Sequence, residues 1–518
     1  MSRTAQHLSL LAAVAVVVFS TNLGGAKLWD RDEPRNAACT FEMLERGDWV
    51  TPYFNGELRT HKPILTYWLM MSSYWAFGVN EFAARFWSAA LGLVTTLSTY
   101  MIGRRLFGSS VGLWGGLAMA TALLFAMASR AATPDAPLIC FSVVAIMLFV
   151  VGTFARRRDP HDLHEPLRLK TPGQHFPSSW PMAAAMYAAM GLAVLAKGPV
   201  GLLLPTAVIG MFMLIMRLPQ QKENQNPSGD AQRPWTLLEW SLAVALFVGL
   251  VASDATLGPM TTFAAAGALV IGWGLWRPAS LAGRMIRPFA PQHFLATCWA
   301  MRPLTALAVV LAIALPWYVW VGLRTDGAWL EGFFLQHNLG RAMNTMEGHR
   351  GTFLFYPVSA LGGMFPWSIL LPAAVIAAAK RIRQRDPWAV GFVLLLCWVG
   401  VYMTMFSLAR TKLPSYVTPC YAGLATLIGA LIVRWRSAIE PLGRMTTRAA
   451  FGSLIAAGLA IAVALPIAAA IFAPGEEWLG LIGAAPIVGG LLGLVYCERR
   501  QPALASLSLG VCAVVTAT

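Results

Sequence analysis

Residues 29–68 read WDRDEPRNAACTFEMLERGDWVTPYFNGELRTHKPILTYW, a charged, aromatic-rich stretch between two apolar segments. Only 12% of the chain is charged and 57% is hydrophobic. Asp32, Glu33, His61 and Lys62 in one loop therefore call for a chemical reason. Ionisable groups beside a bilayer are costly and tend to mark function. Pro34 suits the first turn of a helix. The run to Arg46 reads as an amphipathic interfacial helix, with Ala38, Phe41 and Leu44 on one face and Gly47 as its stop. Asp32 would lie at the positive end of that helix, where an ionised carboxylate is favoured and where a simple cap is the plainer role.

Outward from this loop the chain is a polytopic membrane protein. The mean hydropathy of +0.60 excludes an ordinary soluble enzyme, and apolar runs of about 17 to 25 residues recur throughout. Candidate spans are 8–24, 82–103, 110–128, 134–154, 180–197, 199–217, 236–252, 259–276, 303–322, 357–379, 389–407, 415–433, 449–473, 478–496 and 501–517. The first reads as a retained helix, since no persuasive cleavage site follows it. The fold class expected is all-α, a helical integral membrane protein with interfacial helices in its outer loops. Two parts are expected: residues 1–433 as the main transmembrane domain, with outer loops at 25–81 and 322–356 and catalytic if the family resemblance given below holds, and 434–518 as additional C-terminal hydrophobic helices.

The net charge of +15 is a topology signal rather than a nucleic-acid signal. Arg104, Arg105, Arg156, Arg157, Arg217, Arg302, Lys380, Arg381, Arg434 and Arg499 fall in every second loop. That alternation places the N-terminus in the cytoplasm and the 29–68 loop outside. The seven cysteines form no CxxC pair, so neither a disulfide framework nor a thiolate metal site is indicated. Residues 220–233 (QQKENQNPSGDAQR) read as a flexible cytoplasmic linker.

A few cations break the positive-inside pattern. Lys197 lies in LAKGPVG, Lys412 in SLARTKLPSY and Arg130 in SRAATPDAPL, each at the outer end of a span. Cations repeated at one membrane boundary suit an anion site built from separate helices, and phosphate is the obvious anion there. A snorkelling anchor is the alternative for any one of them. Asp135 follows Pro134 as a second outer carboxylate. The 322–356 loop, flanked by PWY at 316–318 and FPW at 365–367 as aromatic belts, holds His337, Asn338, Arg341 and His349 and suits a substrate-closing lid. His61, His337 and His349, with Asp32 or Asp135, could ligate a divalent metal, although no HExxH-type spacing supports it. No Walker loop, GxSxG elbow or dinucleotide fingerprint occurs.

The 32–68 segment resembles the first outer loop of bacterial members of the protein mannosyltransferase superfamily, the lipid A aminoarabinose transferases among them. The resemblance continues through RAATPDAPL, GLAVLAKGPVGLLLP, FFLQHNLGRAM, FPW and SLARTKLPSYVTPCYAGLA, over roughly residues 8–433. It implies a GT-C membrane glycosyltransferase in the bacterial inner membrane, taking a sugar from a polyprenyl-phosphate carrier on the periplasmic face. The acceptor would be lipid A or another envelope glycan; a protein acceptor is the alternative. By motif, Asp32, Glu33 and Asp135 would be catalytic, and Lys62, Lys197, Arg341 and Lys412 would bind the carrier phosphate. His61 and His337 are the metal candidates. The chain departs from those relatives where their Glu-Lys-Pro reads His61-Lys62-Pro63 and their His-Glu-His reads Gln336-His337-Asn338, which leaves metal use and sugar identity open. It also ends in a hydrophobic run, so the outer C-terminal domain found in some relatives is expected to be absent. The competing class is a polyprenyl-lipid flippase, which would place its ionisable groups near the bilayer midplane.

Overall fold

The computed structural model describes residues 2–29, 32–157, 165–218, 241, 259–276, 281–340 and 352–518. Among these residues nine helices are long and apolar enough to cross a membrane, or ten if one bent pair is a single span. The expected 236–252 span and the 220–233 linker lie outside the described residues, save Ser241. Among the described residues the only strands are Tyr53–Phe54 and Glu57–Leu58, an antiparallel hairpin closed by Asn55 and Gly56, a dipeptide that favours such two-residue turns.

The Glu81–Phe107 helix sets the long dimension. Asn80 caps its start by accepting from the Ala83 amide at 2.9 Å. Glu81 stands in its first turn and Arg104 and Arg105 in its last, the charge order a helix dipole favours. Its 27 residues span roughly 40 Å at about 1.5 Å per residue. At its far end lies a charge cluster: Arg157 donates to the Leu106 carbonyl at 3.3 Å, and Trp388 lies under the Arg434 guanidinium, which Asp386 binds at 2.7 Å. Inside the bundle the Tyr421–Arg436 helix is buried on nearly every side, as a helix apolar all round must be.

Three local expectations change. The single span expected at 357–379 is broken into Phe355–Gly363, a 3-10 turn Trp367–Leu370, and Leu371–Arg383. The break serves a neighbour: Ser109–Ala120 and Leu123–Ser129 bend by 67°, and the groups exposed there are met by the Phe365 carbonyl (3.2 Å from the Leu123 amide) and the Trp367 indole (2.8 Å from the Thr121 hydroxyl). Irregular backbone at membrane depth survives only with such partners. Trp317, Tyr318 and Trp367 are accordingly buried, packed inward rather than forming surface belts. Residues 65–77, expected as loop and lead-in, form the helix Leu65–Phe77, too short to span.

The Asp32–Glu45 helix leaves Phe41, on its expected apolar face, exposed and packs its other side on the protein, an arrangement that suits an interfacial helix. Glu33, Asn36, Ala37, Cys39, Thr40 and Met43 are buried, while Phe41 is exposed. Polar Glu33 and Asn36 go inside because partners from distant segments wait for them. Gly47 is the stop: its amide bonds the Leu44 carbonyl at 3.1 Å and the Asp48 amide bonds that of Met43 at 3.0 Å, the paired bonds of a Schellman ending.

Candidate active site

The site begins with how the charged loop is held. Glu33 is 2% exposed. Its carboxylate accepts from Arg85 Nε at 2.9 Å and Nη2 at 2.7 Å, from the Ala132 amide at 2.7 Å and from the Trp29 amide at 3.1 Å. Burial alone would raise its pKa; the bidentate guanidinium and the two amides outweigh that and hold the carboxyl below the ordinary carboxylate range. Arg85 also donates to the carbonyls of Leu23, Ala26 and Lys27. Asn36, one turn on, donates to the Ala132 carbonyl at 3.1 Å. Glu33 and Asn36 thus grip both polar groups of Ala132, three residues before Asp135.

The second segment is clamped by tryptophans. The indoles of Trp68, Trp317 and Trp329 donate to the carbonyls of Trp49, Val50 and Arg59 at 2.7, 2.9 and 2.9 Å. Arg59 is buried and donates to Tyr67 and Asn36, both at 3.0 Å. These bonds seat the hairpin and, directly after it, His61 and Lys62.

Around this frame four motif residues come together. Asp135 forms an ion pair with Lys197, the last residue of the Trp180–Lys197 helix. Lys62 and Ser415 lie close enough to the same carboxylate to act on it electrostatically. Asp32 acts likewise on Lys197, whose ammonium stands 5.2 Å from the Tyr416 ring centre. Two carboxylates and two ammoniums from four separated segments therefore share one end of the bundle. Asp32 is exposed and Lys62 partly so, leaving both accessible to a ligand.

The segment expected as a lid, as far as it is described, reaches the same corner. After Ala328–Glu331 the chain widens into a π-helix, Gly332–Leu339, a form common at functional sites. Gly198 has φ +87°, and a Cβ there would stand 2.6 Å from the Phe333 ring, so only glycine lets the lid meet the residue after Lys197. The rings of His337 and His61 lie 4.0 Å apart at 33°, and Trp329 stacks on Phe333 at 4.8 Å. Arg341 and His349 lie outside the described residues.

Lys412 is placed differently from the other cations. It is 2% exposed, and its ammonium turns back to the carbonyls of Ser407 and Phe406 at 2.6 and 3.1 Å, at the end of the Ala389–Leu408 helix. A cation there satisfies terminal carbonyls and the helix dipole. Among the described residues no three His, Cys, Asp or Glu side chains gather, and His349 lies outside them. The residues that sequence reasoning passed over are Asn36, Ser415 and Tyr416, the last two inside the SLARTKLPSY motif and separated from Asp135 by 280 positions or more.

The model of dolichyl-phosphate-mannose-protein mannosyltransferases matches residues 9–265. An undecaprenyl phosphate-α-4-amino-4-deoxy-L-arabinose arabinosyl transferase of Sodalis glossinidius is 29% identical over 95% of this chain and 71% of its own length. Its counterpart in Photorhabdus laumondii is 23% identical over 81% of this chain and 58% of its own. An uncharacterised Aquifex aeolicus protein is 32% identical over 41% of this chain. The chain spans 38% and 58% of the Aquifex and Photorhabdus relatives. The apo structure of ArnT from Cupriavidus metallidurans superposes with a TM-score of 0.64 at 21% identity, covering 100% of this chain and 77% of that one. ArnT bound to undecaprenyl phosphate gives 0.63. At this identity the likeness establishes a shared fold.

Proposed function

We propose, from the likeness to the dolichyl-phosphate-mannose-protein mannosyltransferases over residues 9–265 and to the aminoarabinose transferases, that this chain is a membrane glycosyltransferase. It moves a sugar from a polyprenyl-phosphate carrier to an acceptor of the lipid A or envelope-glycan class. The reaction takes place at the periplasmic face of a bacterial inner membrane. The observation that carries this reading is the meeting of Asp32, Lys62, Asp135 and Lys197 beneath a lid. The relatives named for undecaprenyl-phosphate donors supply the substrate class.

The chemistry follows from charge. Breaking the bond between the anomeric carbon and the phosphate oxygen sends the electron pair to that oxygen, so the carrier phosphate gains a unit of negative charge. Lys62 and Lys197 are preorganised to stabilise it where water is scarce, and the family motif adds Arg341, outside the described residues, as a third cation. Attack by the acceptor oxygen on the opposite side inverts the anomeric centre. A hydroxyl acceptor gives its proton to Asp32, exposed at a helix N-terminus; an acceptor that is already an ionised phosphate needs no base, and Asp32 then positions it. Glu33 and Lys412 act at one remove, bracing the loop and a helix end. Purified protein incubated with a panel of polyprenyl-phosphate sugars and lipid A or peptide acceptors should release polyprenyl phosphate as product forms. Movement of carrier lipid across liposomes with its sugar still attached, and no release, would overturn the reading.

A further inference from the structure

Three aromatic rings run between the segments that carry Lys62 and Lys197. Trp317, Trp329 and Phe333 are all buried. Trp317 meets Trp329 edge to face at 4.8 Å and 79°, and Trp329 stacks on Phe333 at 4.8 Å and 23°. At one end the Trp329 indole donates to the Arg59 carbonyl at 2.9 Å, in the strand of chain that leads directly to Lys62. That backbone is held from the other side too, since the buried Arg59 guanidinium donates to Tyr67 and Asn36, both at 3.0 Å. At the other end the Phe333 ring lies against Gly198, the residue after Lys197. The first loop is tied to the same element twice more. Trp317 donates to the Val50 carbonyl at 2.9 Å. Arg324 binds Asp48 Oδ1 at 2.9 Å, and that oxygen also accepts from the Val50 and Thr51 amides at 2.9 and 3.2 Å. None of the three rings has a part in the proposed chemistry.

Resting on the glycosyltransferase reading, we propose that Trp329 is a positioning residue, the centre of a rigid aromatic spacer that holds Lys62 and Lys197 at the separation the departing phosphate requires. Each ammonium sits on a flexible four-carbon stem, so its placement is only as firm as the backbone that carries it. Packed rings supply that firmness. Each has few rotatable bonds, and a close-packed interior transmits displacement rather than absorbing it. The indole N–H fixes the Lys62 end in direction as well as distance, whereas the Phe333 end rests on shape alone. Without the N–H, the backbone before Lys62 can shift while the ring stays in place. A misplacement of about 1 Å can cost about 100-fold in rate. Most of that cost falls on the transition state, where the phosphate carries more charge than in the bound donor.

Trp329→Phe tests the spacer, because it keeps a ring and removes the N–H. It should lower kcat by about tenfold, the effect of withdrawing one buried donor from its acceptor, with donor KM nearly unchanged. In a Lys62→Ala background the same change should cost almost nothing, since with one ammonium gone its separation from the other no longer matters. A residue that only stabilises the fold would reduce activity by the same factor with or without Lys62. The measurement is single-turnover release of polyprenyl phosphate by the full chain in nanodiscs, with a donor of the panel that wild type consumes and thermal unfolding alongside. Full kcat in Trp329→Phe, or equal losses in the two backgrounds, overturns the spacer. If Trp329→Phe does not fold, Phe333→Leu, which keeps an apolar side chain beside Gly198 but removes the flat ring, decides in the same cycle. Wild-type protein that consumes no donor of the panel overturns the glycosyltransferase reading first, and the spacer with it.

Discussion

Replacing Glu33 by Ala should open the charged loop, and a native cysteine reports it. Glu33 and Arg85 form a buried bidentate pair, 3% and 5% exposed. Removing one partner of such a pair costs about 3–5 kcal/mol, because the other charge is left buried without compensation. Here the loss also strands the Trp29 and Ala132 amides. At about 1.4 kcal/mol per decade, opening of the Asp32–Glu45 helix should become roughly 100- to 1000-fold more frequent or more. Cys39 lies in that helix, fully buried, its thiol pushed up to about 12 chiefly by burial. It should be nearly inert in wild type and react with a thiol probe in proportion to opening. Labelling of Cys39, followed by peptide mass spectrometry, should accelerate by that factor in Glu33→Ala and in Arg85→Ala. In the double variant the effects should fall short of their sum by about 2–3 kcal/mol, as coupled partners do. Wild-type labelling rates in either single variant, or additive effects, would refute the argument. The pair has an acid limit too. Glu33 has a folded pKa below its ordinary value of 4.5, so its contribution is complete above that value and disappears as pH falls through the lower folded one. Cys39 reactivity toward a pyridyl disulfide, which works in acid, should therefore climb only below about pH 4.5.

Other outcomes follow from the same geometry. Asp32→Asn and Lys62→Ala should each reduce sugar transfer by about 100- to 1000-fold, the usual effect of losing a charge-stabilising group, with insertion and thermal stability unchanged; near-normal turnover in both would leave the loop an anchor. Lys412→Met should lower thermal stability by about 1–3 kcal/mol through the lost carbonyl contacts and alter carrier affinity less than Lys62→Ala does. A binding loss without a stability loss would return Lys412 to the phosphate site. Single cysteines at Asn55 and Lys380 should label from the periplasmic and cytoplasmic sides respectively, as measured with an impermeant maleimide on cells and inverted vesicles; Asn55 reached only from the cytoplasm would reverse the whole arrangement.

Much of this protein could be read from local chemistry. Hydrophobic run length specifies membrane helices, because a bilayer leaves few alternatives for the backbone, and the alternation of Arg and Lys specifies their sense. Gly47 ends its helix as expected, and the charged motifs at 32–33, 62, 135 and 197 announce themselves because charge is so scarce here. What the sequence could not decide was partnership. Glu33 and Asp32 are neighbours, yet one is buried against Arg85, 52 residues away, and the other is exposed. Lys197 and Lys412 look alike as cations at helix ends, yet one meets Asp135 and the other its own helix carbonyls. The side of Asp32–Glu45 that packs on the protein carries Glu33 and Asn36, whose distant partners the local sequence does not name. In each case the outcome depends on which donors distant helices bring within about 3 Å. Hydrophobicity and charge along the chain select the architecture; the packing of the helices assigns each charge its counterpart.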